Sequence, residues 1–130
     1  MYIFTLYQYE KLLQNGSPEE RGKDHAPVVK LFLPGSGCTW LLTELDPEEP
    51  TFAFGLCDLG MGFPELGYVD LDEIMEVKNK LGLRIERDFS FSGKFPISVY
   101  ARAALANDCI IEDETTVAKY VPKVQPKYEA

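Results

Sequence analysis

Between residues 28 and 71 the chain alternates short apolar runs with turn chemistry: VVKLFL (28–33), PGSG, CTWLLTEL (38–45), DPEEP, TFAFGLCDLG (51–60), GMGFP and ELGYVDL (65–71). Runs of this length, rich in β-branched and aromatic residues and bounded by Gly and Pro, form strands rather than helices. The connections are too short to hold a crossover helix, so successive strands must run antiparallel. Four strands in a meander are therefore expected. LRIERDFSF (83–91) adds a possible fifth, with Leu83, Ile85, Arg87, Phe89 and Phe91 on one face.

Helices are expected on either side of this sheet segment. Residues 3–15 place Leu6, Tyr9, Leu12 and Leu13 at helical spacing, and Gly16 stops the run. In LDEIMEVKNKLG (71–82) acids come first and lysines last, with Asp70 as N-cap, Glu73 in capping-box position and Gly82 closing the helix. A third helix starts near Pro96 and runs to about 106, with Ile97, Tyr100, Ala101, Ala104 and Leu105 on one side. On strand 51–60, the small Ala53, Gly55 and Cys57 leave room for a helix to pack closely. The expected fold class is α+β: an antiparallel sheet of four or five strands with two to three helices against it. At 130 residues the chain fits a single globular domain over 1–110. Residues 16–27 read as a mobile loop, and 111–130, which contain prolines and few large aliphatics, as an extended or partly disordered tail.

Charge excludes some functions. The net charge is −8, and between Lys30 and Lys78 there are ten acids and no Lys or Arg. The 31–77 segment has no cations to hold phosphate, so it is not expected to bind nucleic acid. An acidic surface formed by Asp46, Glu48, Glu49 and Asp58, or the C-terminal tail, is the expected contact for another protein. No apolar run reaches the length of a membrane span, and the start MYIFTLYQYEKLLQNG lacks the basic n-region of a signal peptide, so a cytoplasmic location is expected. Cys38, Cys57 and Cys109 are widely spaced and odd in number, which points to free thiols.

Motifs for chemistry are sparse. The glycines at 55, 60 and 62 and at 35 and 37 lack the Gly-Lys-Ser/Thr of a phosphate loop. His25 is the single histidine, so neither a Ser-His-Asp site nor a Cys/His zinc site is expected, and no cofactor is called for. The catalytic candidates are Glu44, Glu65 and Arg87, a carboxylate pair with a guanidinium, provided that the fold brings them into one cleft. Arg87 is expected to reach Glu44 or Glu65, and Trp40 to sit in the core with Tyr68 as a cross-strand neighbour.

Several stretches together carry a family resemblance: Phe32 to Pro34, Thr39-Trp40, Thr43-Glu44, Phe54-Gly55, Glu65 to Tyr68, and Gly82 to Asp88. Over about residues 28–91 the chain resembles the bacterial family of uncharacterised proteins catalogued as domain of unknown function 2958. The resemblance implies a bacterial protein, often carried on plasmids or integrated mobile elements, with no established activity and no catalytic residues to transfer. It leaves three functional expectations. The first is a non-catalytic protein-interaction module of a mobile element. The second is an acidic mimic of nucleic acid that inhibits a defence nuclease. The third is a small enzyme built on the Glu44, Glu65 and Arg87 cleft. Two substitutions test the local reading by thermal melts: Asp70→Ala should cost roughly 0.5–2 kcal/mol as a lost cap, and Gly82→Ala about 1 kcal/mol if Gly82 is left-handed.

Overall fold

The computed structural model describes residues 3–123. The elements in order are α1 (Leu6–Asn15), β1 (Val29–Phe32), β2 (Cys38–Leu45), β3 (Phe52–Leu59), β4 (Glu65–Asp70), α2 (Leu71–Ile74), β5 (Glu86–Arg87), α3 (Ile97–Asn107) and α4 (Glu114–Ala118). One antiparallel sheet runs β4-β3-β2-β1-β5. The meander of the first four strands is as expected, and the fold is α+β. β5 closes back beside β1, pairing Leu31 with Arg87 and Phe32 with Glu86.

Helical cover lies on both faces of the sheet. Residues of β2 alternate between the two sides, with the parity shifted once at Thr43: Trp40, Leu42 and Leu45 enter one apolar cluster with Leu12, Val29, Leu31, Ala53 and Ile85. Leu41 and Leu56 enter a second, with Ile97, Tyr100, Ala104 and Val117. The first layer is built by α1, α2 and Ile85, and the second by α3 and α4. Burying each such leucine contributes roughly 1.5–3 kcal/mol relative to leaving it exposed. A bulge between Leu42 and Glu44 interrupts the β2–β3 register, and the buried Asn15 of α1 donates from Nδ2 to the bulged Thr43 carbonyl at 2.9 Å.

Helix α1 starts at a capping box that the sequence spells Thr-x-x-Gln: Thr5 Oγ1 accepts from the Gln8 N–H, and Gln8 Oε1 accepts from the Thr5 N–H. Its apolar stripe agrees with expectation in part: Leu12 is buried, but Leu6 and Tyr9 are exposed and Asn15 is buried instead. On α3, Leu105 is likewise exposed and Val99 is buried.

The 71–82 helix is the main correction. Only one turn forms, α2, and the Asp70 carboxylate accepts from the Asp72 N–H (2.9 Å) without the reciprocal Glu73 bond. The cause is Asn79, a residue whose side chain competes with helical backbone bonds. Its Oδ1 accepts from the N–H groups of Leu81 and Leu83, and its Nδ2 donates to Pro34 O across 45 positions of sequence at 2.8 Å. A tight reversal results, with Lys78 bridged to Arg84. Gly82 is left-handed (φ +81) as expected, but in that turn rather than at a helix end. The expected 83–91 strand shrinks to two residues because Asp88 folds over Ser90, accepting from both its N–H and its hydroxyl.

The C-terminal segment also departs from the expected extended tail. Asp113 caps α4 through the Thr116 N–H, and Val117 is fully buried in the second cluster. One apolar residue in a good capping context is enough to dock a short helix there. The rest of the expected tail, 124–130, lies outside the described residues. The 16–27 segment is a loop, tied to α3 where the Ile97 N–H donates to His25 O (2.8 Å) and Asp24 accepts from Ser98.

The small face of β3 serves a different purpose from the one expected. A Cβ on Gly55 would lie 2.0 Å from the Leu41 carbonyl oxygen, so the glycine accommodates the neighbouring strand at the bulge, not a helix. Its cross-strand partner Gly67 has open space around it. The two should therefore respond oppositely to alanine in urea unfolding. Gly55→Ala should cost about 1–3 kcal/mol, and Gly67→Ala should stay within about 1 kcal/mol of wild type, on the stabilising side.

Candidate functional site

The three residues singled out for a cleft are dispersed. Glu44 pairs with Phe54 on the face covered by α3. Glu65 pairs with Cys57 on the other face, at the start of β4. Arg87 lies on β5, at the far edge of the sheet. Four strand spacings separate β4 from β5, roughly 19 Å. The guanidinium of Arg87 instead donates from Nη1 to Ile3 O (2.6 Å) and stacks on Phe89, so it ties the chain start to β5. A cleft of these three side chains does not form.

Glu44 is the most unusual of them. It is 7% exposed on a central strand, with no ion pair or side-chain hydrogen bond among the described residues. Burial raises its pKa above the ordinary carboxylate value, opposed by the charges of His25 and Arg21 from the 16–27 loop. Cys57, beside Glu65, is pushed up to about 11 by burial and then by that carboxylate, so it is not an activated thiolate. Trp40 packs in the first cluster between Leu31 and Cys57, while Tyr68 is on the opposite face, edge-on to Phe54 at 5.1 Å.

The expected acidic surface is partly dismantled. Asp58 is buried: its Oδ1 accepts from the Gly60 N–H (2.8 Å) and its Oδ2 from the Ile110 N–H (2.9 Å), pinning the end of β3 to the chain after α3. Asp46 accepts from the Glu48 N–H in its own turn, and only Glu48 and Glu49 are fully exposed there. Among the described residues no three His, Cys, Asp or Glu side chains are grouped to hold a metal ion. Among them, too, no helix is long and apolar enough to cross a membrane.

Concavities among the described residues offer a further place for a ligand. A groove of about 700 Å³ between the start of α1 and α2 is lined by Ile3, Phe4, Tyr9, Pro50, Leu71 and Met75 among others. A pocket of about 210 Å³ lies against Asp88, Tyr100 and Glu112. Next to it Lys30 bridges Asp88 (3.2 Å) and Glu112 (2.7 Å). Burial pulls the Lys30 ammonium down, and the two carboxylates together outweigh it, leaving its pKa above the ordinary value. That lysine has its partners, so the pair of contacts reads as a clamp between β1 and the segment before α4.

The sheet edges differ more sharply. At one end β5 is two residues long and both are charged, a usual way to blunt an edge. At the other end β4 is six residues long, and among the described residues no strand lies beyond it. The Leu71 N–H donates to Thr51 O (2.7 Å), which makes Phe52 and Asp70 a non-hydrogen-bonded pair. By alternation, Glu65, Gly67 and Val69 point their backbone groups at β3, and Leu66 and Tyr68 point theirs outward. The Leu66 and Tyr68 side chains are exposed as well, Tyr68 at 66%, and the preceding turn exposes Met61 and Phe63. An open edge flanked by exposed apolar side chains is a template for strand addition.

Residues 3–111 match the model of the family described as Protein of unknown function (DUF2958). The chain belongs to that family. The match is wider than the motif resemblance over 28–91, since it takes in α1 and α3 as well as the whole sheet. No curated protein and no solved structure matches the chain. Membership brings no residue roles, so the site rests on geometry alone. The open edge was not within reach of the sequence: the 83–91 strand pattern follows β4 and could have paired with it, and only the sheet order places β5 beside β1 instead.

Glu44 gives a pH test. Its folded pKa is raised above the unfolded value, so the native state binds the extra proton. The resulting penalty is absent at low pH and builds as pH rises through the unfolded value and then the raised folded one. Glu44→Gln should therefore raise the melting temperature at pH 7, with the difference from wild type vanishing near pH 4. Thermal melts across that range check it.

Proposed function

We propose that this chain is a non-catalytic protein-interaction module, in keeping with the mobile-element setting that its motif resemblance implies. The observation that carries the reading is the asymmetry of the sheet. One edge is short and charged, whereas β4 leaves outward-pointing backbone groups at Leu66 and Tyr68 beside exposed apolar side chains. Soluble folds cover or blunt such an edge unless it is used.

The carboxylate-cleft reading has lost its geometry, because Glu44, Glu65 and Arg87 are on different faces and edges. The nucleic-acid mimic needs carboxylates spaced along one exposed face, and burial of Asp58 and Glu44 removes two of the ten acids between Lys30 and Lys78. Partner binding needs neither.

Affinity capture from a bacterial lysate tests the proposal with three baits: wild type, the edge variant Leu66→Lys/Tyr68→Lys, and the loop variant Glu48→Lys/Glu49→Lys. The expected result is a stoichiometric partner held by wild type and by the loop variant, and lost by the edge variant. Equal capture by the edge variant, or no specific partner for wild type, would overturn it.

A further inference from the structure

We infer that the β4 edge accepts an extended peptide with cationic residues at both ends and apolar residues between them, added to the sheet as a sixth strand. This rests on the interaction-module reading and names the chemistry of the partner.

The occupant follows from what the edge displays. The backbone of Leu66 and Tyr68 offers outward N–H and C=O groups two residues apart, the repeat at which an antiparallel neighbour is bonded. On the face of β4 shared with α3, Leu66 and Tyr68 present apolar surface, with Phe54 behind the tyrosine ring. On the other face Gly67 leaves open space beside the half-buried Val69, and its neighbour on β3 is Gly55. A large side chain on the incoming strand opposite Gly67 fills that bare position, as aromatic residues do for edge glycines.

Charge decides the ends. Glu65 and Asp70 terminate β4, Asp72 and Glu73 follow, and β2, β3, β4 and their connections contain no Lys or Arg. An incoming strand with a cation at each end meets a carboxylate at each end whichever way it runs. A second copy of this chain is disfavoured by the same feature. Antiparallel pairing of two β4 edges would bring Glu65 and Asp70 of both copies together, and like charges across strands are destabilising. Nucleic acid meets only acids here.

The recognition pattern can be written out. In the antiparallel sense the residues opposite Asp70, Val69, Tyr68, Gly67, Leu66 and Glu65 are a cation, an aliphatic, an apolar residue, an aromatic, an apolar residue and a cation. A capped peptide carrying Lys-Val-Leu-Tyr-Val-Arg is a suitable probe, with a control in which both cations are replaced by Glu.

The test is titration of the full chain with both peptides, followed by backbone amide NMR and amide hydrogen exchange. The cationic peptide should bind, protect the Leu66 and Tyr68 amides from exchange, and shift resonances along β4. The acid-ended control should bind about tenfold more weakly or worse, and Glu65→Lys should weaken the cationic peptide about fivefold. Glu65 is exposed, so that variant leaves the fold intact, and its melting temperature verifies this. Equal binding of the two peptides would overturn the inference. So would absence of binding, shifts confined to the groove between α1 and α2, or self-association of the chain through β4. If lysate capture is edge-dependent while the peptide fails, the interaction-module reading stands and only the cationic strand is lost. If capture is not edge-dependent, the reading itself falls.

Discussion

From Trp40 to Leu45 the chain runs through the middle of the sheet with no residue more than 7% exposed. A strand buried on both faces needs a layer on each side, and the rest of the architecture follows from that need. Trp40, Leu42 and Leu45 demand α1 and the turn carrying Ile85, while Leu41 demands α3 and α4. Polar groups drawn inside by this arrangement are satisfied locally. Asn15 bonds the bulged Thr43 carbonyl, and Asp58 accepts from Gly60 and from Ile110. These contacts tie each helical layer to the sheet by a specific bond as well as by apolar packing.

A sheet of five strands has two edges, and this one treats them differently. β5 is too short and too charged to template another chain, and Arg87 is occupied by the Ile3 carbonyl. β4 has length, exposed apolar side chains and free backbone groups, with carboxylates at both ends. In the proposed reading, those carboxylates also disfavour pairing of two copies of the edge, because like charges across strands are destabilising. The acid excess of the central segment thus acquires a physical sense at the edge, after its buried members are set aside.

The candidate site was legible only in fragments. The acids and the missing cations between Lys30 and Lys78 are read directly from sequence, but their placement is not. Asp58 and Glu48 look equivalent as letters, yet one is an internal acceptor and the other faces water. Glu44, Glu65 and Arg87 had compatible chemistry, and the strand parity and the sheet order separated them. Simple alternation would put Glu44 on the Trp40 face, and the bulge between Leu42 and Glu44 moves it to the other, so parity was available from the pattern for Glu65 and Arg87 only. The sheet order was not, because the position of β5 beside β1 depends on long-range packing of Ile85.

Local signals settled what local interactions control: the four-strand meander, the Asp70 cap, the left-handed Gly82, and a cation-free central segment. They failed where a distant partner outweighed propensity. LDEIMEVKNKLG has the charges of a helix, but the bond from Asn79 to Pro34 and burial of Ile85 favour a turn after α2. The segment after residue 110 looked like a tail, and Val117 finds its cover on α3's side of the sheet. Helix propensities differ by only tenths of a kcal/mol per residue. A few buried contacts exceed that sum, so the sheet and its caps belonged to the sequence while layering, inward acids and the open edge were decided in three dimensions.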